Sequence, residues 1–158
     1  MIIFSRIDER LLHGEIAMDW VGGLNPTRIV IIDDPTAANP MFTRMFQSMA
    51  PRGCTVDVLS VKTAEEKLKT EEYTGSGCRA LLVAKVPSVY LALLNAGVQI
   101  SSINVGNMGT SRTRKRLLQY IWATKEELED FRAIMDKGVE LYGQKVPRME
   151  KTDMHKFV

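Results

Sequence analysis

The run Met1-Ile2-Ile3-Phe4-Ser5-Arg6-Ile7-Asp8-Glu9-Arg10-Leu11-Leu12-His13-Gly14 decides how this chain is read. Its apolar start predicts a first β-strand over residues 2–5. Its polar continuation then carries one of only two histidines past the strand end, beside a glycine and close to two arginines. An imidazole titrates near neutrality or acts as a nucleophile. A guanidinium supplies fixed positive charge and paired donors suited to phosphate oxygens. The segment reads either as a place to hold a phosphoryl group or another anion, or as a structural histidine with arginine neighbours.

Outward from this run, short and mostly β-branched apolar stretches return at residues 28–32, 55–60, 80–84 and 102–105, as buried parallel strands do. Helical patterns lie between them over 15–21, 40–50, 64–69, 88–96 and 125–137, and short strands are expected around 120–123 and 139–142. The last helix has Thr124 to cap it, Glu127 three residues on, and Gly138 to stop it. Ser88 is read as the cap of the helix over 88–96. Met41, Met45 and Met49 share a face of the helix over 40–50 and are expected in the core.

Alternation of this kind predicts an α/β chain: a single three-layer α/β/α domain over residues 1–158 with a mainly parallel central sheet. Ligands of such sheets bind beyond the carboxyl ends of the strands. His13, Asp33-Asp34-Pro35, Lys85-Val86-Pro87-Ser88 and Gly106-Asn107-Met108-Gly109 all fall there and are expected to form one rim. The sequence does not give the strand order.

The 158 residues suffice for one sizeable core, and 45% hydrophobic with 25% charged residues is the balance of a soluble globular protein. A net charge of +2 demands no nucleic-acid partner, and the run Arg112-Thr113-Arg114-Lys115-Arg116 reads as a solvated charge cluster or a docking element for an acidic protein surface. Signal-peptide and membrane-spanning patterns are not found, Cys54 and Cys78 form no paired motif, and a cytoplasmic location is expected. The two histidines make no metal signature, and Asp33 and Asp34 read as a polar helix approach rather than a magnesium site. The polar tail from Gln144, which contains His155, is expected to cover the domain edge or fray.

The segment Arg6-Ile7-Asp8-Glu9-Arg10-Leu11-Leu12-His13-Gly14-Glu15, followed by Trp20, resembles the signature of the IIB components of the mannose/fructose/sorbose family of bacterial sugar phosphotransferase systems. Asp33-Asp34, Ala50-Pro51 before Gly53, Ser102-Ile103-Asn104-Val105-Gly106 with Met108, and Gln144-Lys145-Val146-Pro147 extend the resemblance over nearly the whole chain. The resemblance implies that His13 accepts phosphate on Nδ1 from a phosphorylated IIA protein or domain. It implies onward transfer to a hexose or related sugar presented by membrane IIC and IID components. The chain would then be a protein-histidine to sugar phosphotransferase, cytoplasmic and held at the membrane through IIC and IID. No cofactor, metal or nucleic acid is implied, and the cysteines are not the phosphate carriers.

On this reading Arg10 holds phosphate oxygens, and Arg6 is a second such ligand, or faces solvent, or forms a structural ion pair. Asp8 orients an arginine or the imidazole, and backbone N–H groups near Gly14 add an anion-stabilising dipole. Glu9 and Glu15 stand where the family commonly has aspartate and glutamine, and residues 109–114 depart from its usual pattern. Glu15 adds a negative charge near the expected phosphate, which bears on phosphorylation potential or partner pairing. The alternative function is a regulatory or protein-binding relative that kept the fold and lost sugar delivery.

Overall fold

A computed structural model describes residues Met1–Val158. Seven strands form one sheet: β1 (Ile2–Asp8), β2 (Arg28–Ile32), β3 (Thr55–Leu59), β4 (Ala80–Ala84), β5 (Ser102–Asn107), β8 (Glu140–Gly143) and β9 (Thr152–Asp153). Their order is β3-β2-β4-β1-β5-β8-β9, parallel throughout except for the antiparallel edge strand β9. The interior strand β4 is buried along its whole length, as the unbroken run Ala80-Leu81-Leu82-Val83-Ala84 requires. Helices cover both faces, giving the three layers expected.

Side chains alternate between the faces. Ile7, Val30, Ile32, Leu82, Ala84, Ile103 and Val105 face α4 (Val61–Lys67), α6 (Pro87–Asn95) and α7 (Lys125–Asp136). Phe4, Ile29, Ile31, Leu81 and Val83 face a π-helical turn over Ile16–Trp20, which continues into α1 (Val21–Leu24), and α3 (Pro40–Ser48). Short helices α2 (Asp34–Ala37) and α5 (Glu71–Thr74) complete the crossovers. A two-stranded hairpin, β6 (Lys115–Leu118) and β7 (Ile121–Ala123), is inserted between β5 and α7.

Local chemistry sets most boundaries. Asn39 Oδ1 accepts from the N–H groups of Met41 and Phe42, with Pro40 opening α3. Thr124 caps α7 through the N–H of Glu127 at 3.0 Å, and Gly138 leaves the helix at φ +83. The Glu127 carboxylate does not close the capping box but accepts from Arg114 Nε at 3.0 Å.

Four expectations are corrected. β1 runs on to Asp8, because the polar residues Arg6 and Asp8 are buried within it. Ser88 caps nothing: α6 starts at Pro87 with Val86 in the cap position and no side-chain cap. Met41, Met45 and Met49 are exposed, and Phe46 is the buried residue of α3; helical spacing places the methionines on one stripe but does not say which stripe meets the sheet. The basic run is not simply solvated, since Arg114 is almost covered and paired with Glu9 and Glu127. The tail covers the sheet edge: it supplies β9 and buries Met154.

Candidate active site

The strand order sets β2, β4, β1 and β5 side by side, so the segments that follow them are consecutive along one end of the sheet. At its centre lies Asp8, the last residue of β1 and fully buried. The chain turns at once: Leu11 N–H donates to the Asp8 carbonyl at 3.0 Å, and Leu11 itself adopts φ +58, an unusual conformation for a leucine. Burial of Leu11 and Leu12 against Phe4, Ile16 and Trp20 anchors this turn. The anchor brings His13 back over the strand end, and the backbone is helical from Gly14 onward.

Three side chains converge on the Asp8 carboxylate. His13 Nε2 lies 3.1 Å from Oδ2. Arg10 donates to Oδ1 through its backbone N–H at 3.0 Å and Nε at 3.1 Å, and to Oδ2 through Nη2 at 3.1 Å. Arg6 donates to Oδ2 through Nε at 3.2 Å and Nη2 at 3.1 Å. Burial alone would push the Asp8 carboxyl up. The hydrogen bonds from His13 and Arg10, with the charge of Arg6, instead hold it well below the usual carboxylate range. Asp8 is therefore a fixed anion. As acceptor it favours the tautomer with the proton on Nε2, which leaves Nδ1 with its lone pair and no protein partner.

The two arginines sit in opposite surroundings. Arg10 is the exposed one, with 41% of its side chain accessible, and its Nη2 also reaches Glu15 Oε2 at 2.6 Å. Arg6 is completely covered. Its Nη1 donates to Asn104 Oδ1 at 2.7 Å and the Gln144 carbonyl at 3.3 Å, its Nη2 to the Lys145 carbonyl at 3.1 Å, and its Cζ lies 5.3 Å from the Trp20 ring centre. Burial lowers its pKa from the ordinary guanidinium value, opposed by the pairing with Asp8. Arg6 therefore does not face solvent, and the arrangement observed is an internal ion pair with Asp8.

Gly106 makes it possible. A Cβ there would overlap the Arg6 guanidinium carbon and both its terminal nitrogens. Asn104 also donates to the Gln144 carbonyl at 3.0 Å, and the Gln144 side chain donates to the carbonyls of Pro147 and Met149, which ties the tail to the site. The residues that cradle Arg6 are 98 and 138 positions away in the chain, so no local pattern points to them. The resemblance alone had marked their segments.

The remaining rim residues lie around this cluster. Glu9 accepts from the Gly109 N–H at 2.9 Å and pairs with Arg114, which also donates to the Gly109 carbonyl at 3.0 Å. The loop after β5 thus braces the base of the turn. Asp33 caps α2 and stands 3.5 Å from Lys85 Nζ, outside the cluster. His155 pairs with Asp153 in the tail. Asp8, His13 and Glu15 each place a ligand-type atom within 4.8 Å of the others. The two carboxylates of that group already face two guanidiniums, which satisfy their charge. Burial pushes the Cys54 thiol up, away from a reactive thiolate. No helix is long and apolar enough to cross a membrane.

The sequence profile of the phosphotransferase-system sorbose-subfamily IIB component matches residues 2–158. A fructose-specific EIIB component of Bacillus subtilis is 30% identical over 146 residues, which are 92% of this chain and 88% of that protein. A mannose-specific EIIAB component of Escherichia coli is 29% identical over 98% of this chain, which spans only 48% of that longer protein. The solved IIB domain of the sorbose permease from Klebsiella pneumoniae superimposes with a TM-score of 0.92 at 25% identity, covering 98% of this chain and 94% of that one.

Proposed function

This chain belongs to the sorbose-subfamily IIB components of the sugar phosphotransferase system, and on that premise we propose that His13 is its phosphoryl carrier. The observation that carries the reading is the 3.1 Å contact of His13 Nε2 with the buried Asp8 carboxylate, which leaves Nδ1 as the nucleophilic nitrogen. The donor is a phosphorylated IIA protein or domain. An EIIAB name for the E. coli relative supports such a partner.

Transfer proceeds in line. The Nδ1 lone pair forms the N–P bond while the bond from phosphorus to the donor breaks and its electron pair leaves with the donor. The proton on Nε2 stays in place, held against Asp8. Arg10 turns a guanidinium edge to the phosphoryl oxygens, and N–H groups in the first turn of the helical segment after His13 add positive potential. Arg6 is a positioning residue: it fixes Asp8, and through Asp8 the imidazole, without reaching the phosphate.

In the second step a sugar hydroxyl attacks phosphorus, the N–P electron pair returns to Nδ1, and the hydroxyl proton goes to a base on the sugar-binding side. That sugar, a hexose or a close relative, is presented by membrane IIC and IID components. The 158 residues form one IIB domain working in the cytoplasm at the inner face of the membrane. The test is reconstitution with IIC and IID: sugar-dependent loss of the label from His13 is expected. Stable phosphorylation with no sugar that discharges it would assign the chain to a regulatory or protein-binding role instead.

A further inference from the structure

One charged contact at the site is not used by the transfer just described. Glu15 Oε2 accepts from Arg10 Nη2 at 2.6 Å, the shortest of the bonds that Arg10 makes. That guanidinium is already bound to Asp8 through Nε and Nη2, and Glu15 takes a further N–H of Nη2, while Nη1 has no protein partner. The Glu15 side chain is mostly covered, at 22% exposure, and one of its carboxylate oxygens lies within 4.8 Å of a His13 ring nitrogen. An anion thus stands close to the imidazole that receives the phosphoryl group, on the arginine that would bind it.

We infer that Glu15 is a placeholder for the phosphoryl group: its carboxylate holds Arg10 while His13 is free, is displaced from Arg10 when His13 is phosphorylated, and by repulsion raises the phosphoryl-donating potential of phospho-His13. The inference rests on His13 being the carrier. Glu15 acts through Arg10 and through its field, so it is a positioning residue. No proton moves in the exchange: an N–H of Arg10 passes from a carboxylate oxygen to a phosphoryl oxygen, and the released carboxylate remains an anion beside the phosphate. Like charges at this range in a half-screened site oppose one another, and added salt weakens the effect. The arrangement suits a carrier that must pass its phosphate on, because a fully relaxed phosphohistidine would be a poor donor.

The test uses potassium phosphoramidate, which transfers phosphate to histidine without a protein donor. Phosphorus NMR reads the equilibrium between phosphoramidate plus free His13 and phospho-His13 plus ammonia. Wild type, Glu15→Gln and Glu15→Asp are compared at low and high salt, with native folding checked by thermal melting. Glu15→Gln should shift the equilibrium toward phospho-His13 by about tenfold at low salt and by less at high salt. Glu15→Asp keeps the charge and should stay near wild type. An unchanged or lowered equilibrium in Glu15→Gln, with His13 still phosphorylated, would overturn the inference alone and leave Glu15 as a brace for Arg10. Absence of phosphate on His13 in every form would remove the carrier assignment beneath it.

Discussion

At the scale of single residues the site is organised by one buried carboxylate. The Asp8 carboxylate is the shared partner of Arg6, Arg10 and His13. Its folded-state pKa is depressed, so the unfolded chain binds this proton more readily and Asp8 stabilises the fold at any pH above its unfolded value of about 4. That contribution drains away as pH falls below about 4 toward the folded value. Asp8→Asn should lower stability at pH 7 by about 3–5 kcal/mol, since it leaves the Arg6 charge buried and unpaired. Denaturant melts from pH 7 to pH 2 should also show a shallower acid loss in the variant than in wild type. Arg10, being exposed, should matter differently. Arg10→Lys loses the paired donors of the guanidinium and should slow phosphorylation of His13 by about a hundredfold, with stability changed by about 1 kcal/mol or less. Single-turnover phosphorylation set beside a melt separates the two effects. The residues of the motif were legible in the sequence because they are close in the chain. The difference between the arginines was not, since burial is decided by β5 and the tail.

At the scale of elements, the strand boundaries were legible where apolar runs end in polar loops, as in β2 and β4, whose limits match the expected ones. β1 ran longer than its pattern because the sheet buries an ion pair at its end, a case in which hydrophobicity is the wrong guide to burial. The basic run over 112–116 leads into β6, where Lys115 and Arg116 are exposed on a hairpin that apolar β7 holds to the core. The helix expected after His13 is present but passes through a π turn over Ile16–Trp20, a feature that side-chain spacing does not signal. β5 supplies the clearest test of element packing. Gly106→Ala should force the Arg6 guanidinium out of its pocket and cost about 3–5 kcal/mol by breaking a buried pair. Substitution at Gly14, whose added Cβ meets nothing within 4 Å, is the control and should cost about 1 kcal/mol or less. Chemical denaturation of both variants would show the contrast. Equal losses would mean that the fit around Arg6 has no special weight.

At the scale of the whole molecule, the parallel sheet collects loops that are far apart in sequence at one end, and the order β2-β4-β1-β5 places His13 near their middle. The class of fold followed from alternating elements, but the order came only with the structure, because parallel crossovers leave no local trace in sequence. The exposed methionines of α3 show the same limit, since periodicity gives a face and not its direction. The central claim is that this scaffold presents His13 Nδ1 as a phosphoryl acceptor. The most direct measurement is phosphorylation by a phosphorylated IIA donor, followed by peptide mapping and phosphorus NMR of the intact protein. Label on His13 at Nδ1, and none in a folded His13→Ala variant, is the predicted result. Label retained by His13→Ala, or found on Nε2, would contradict it.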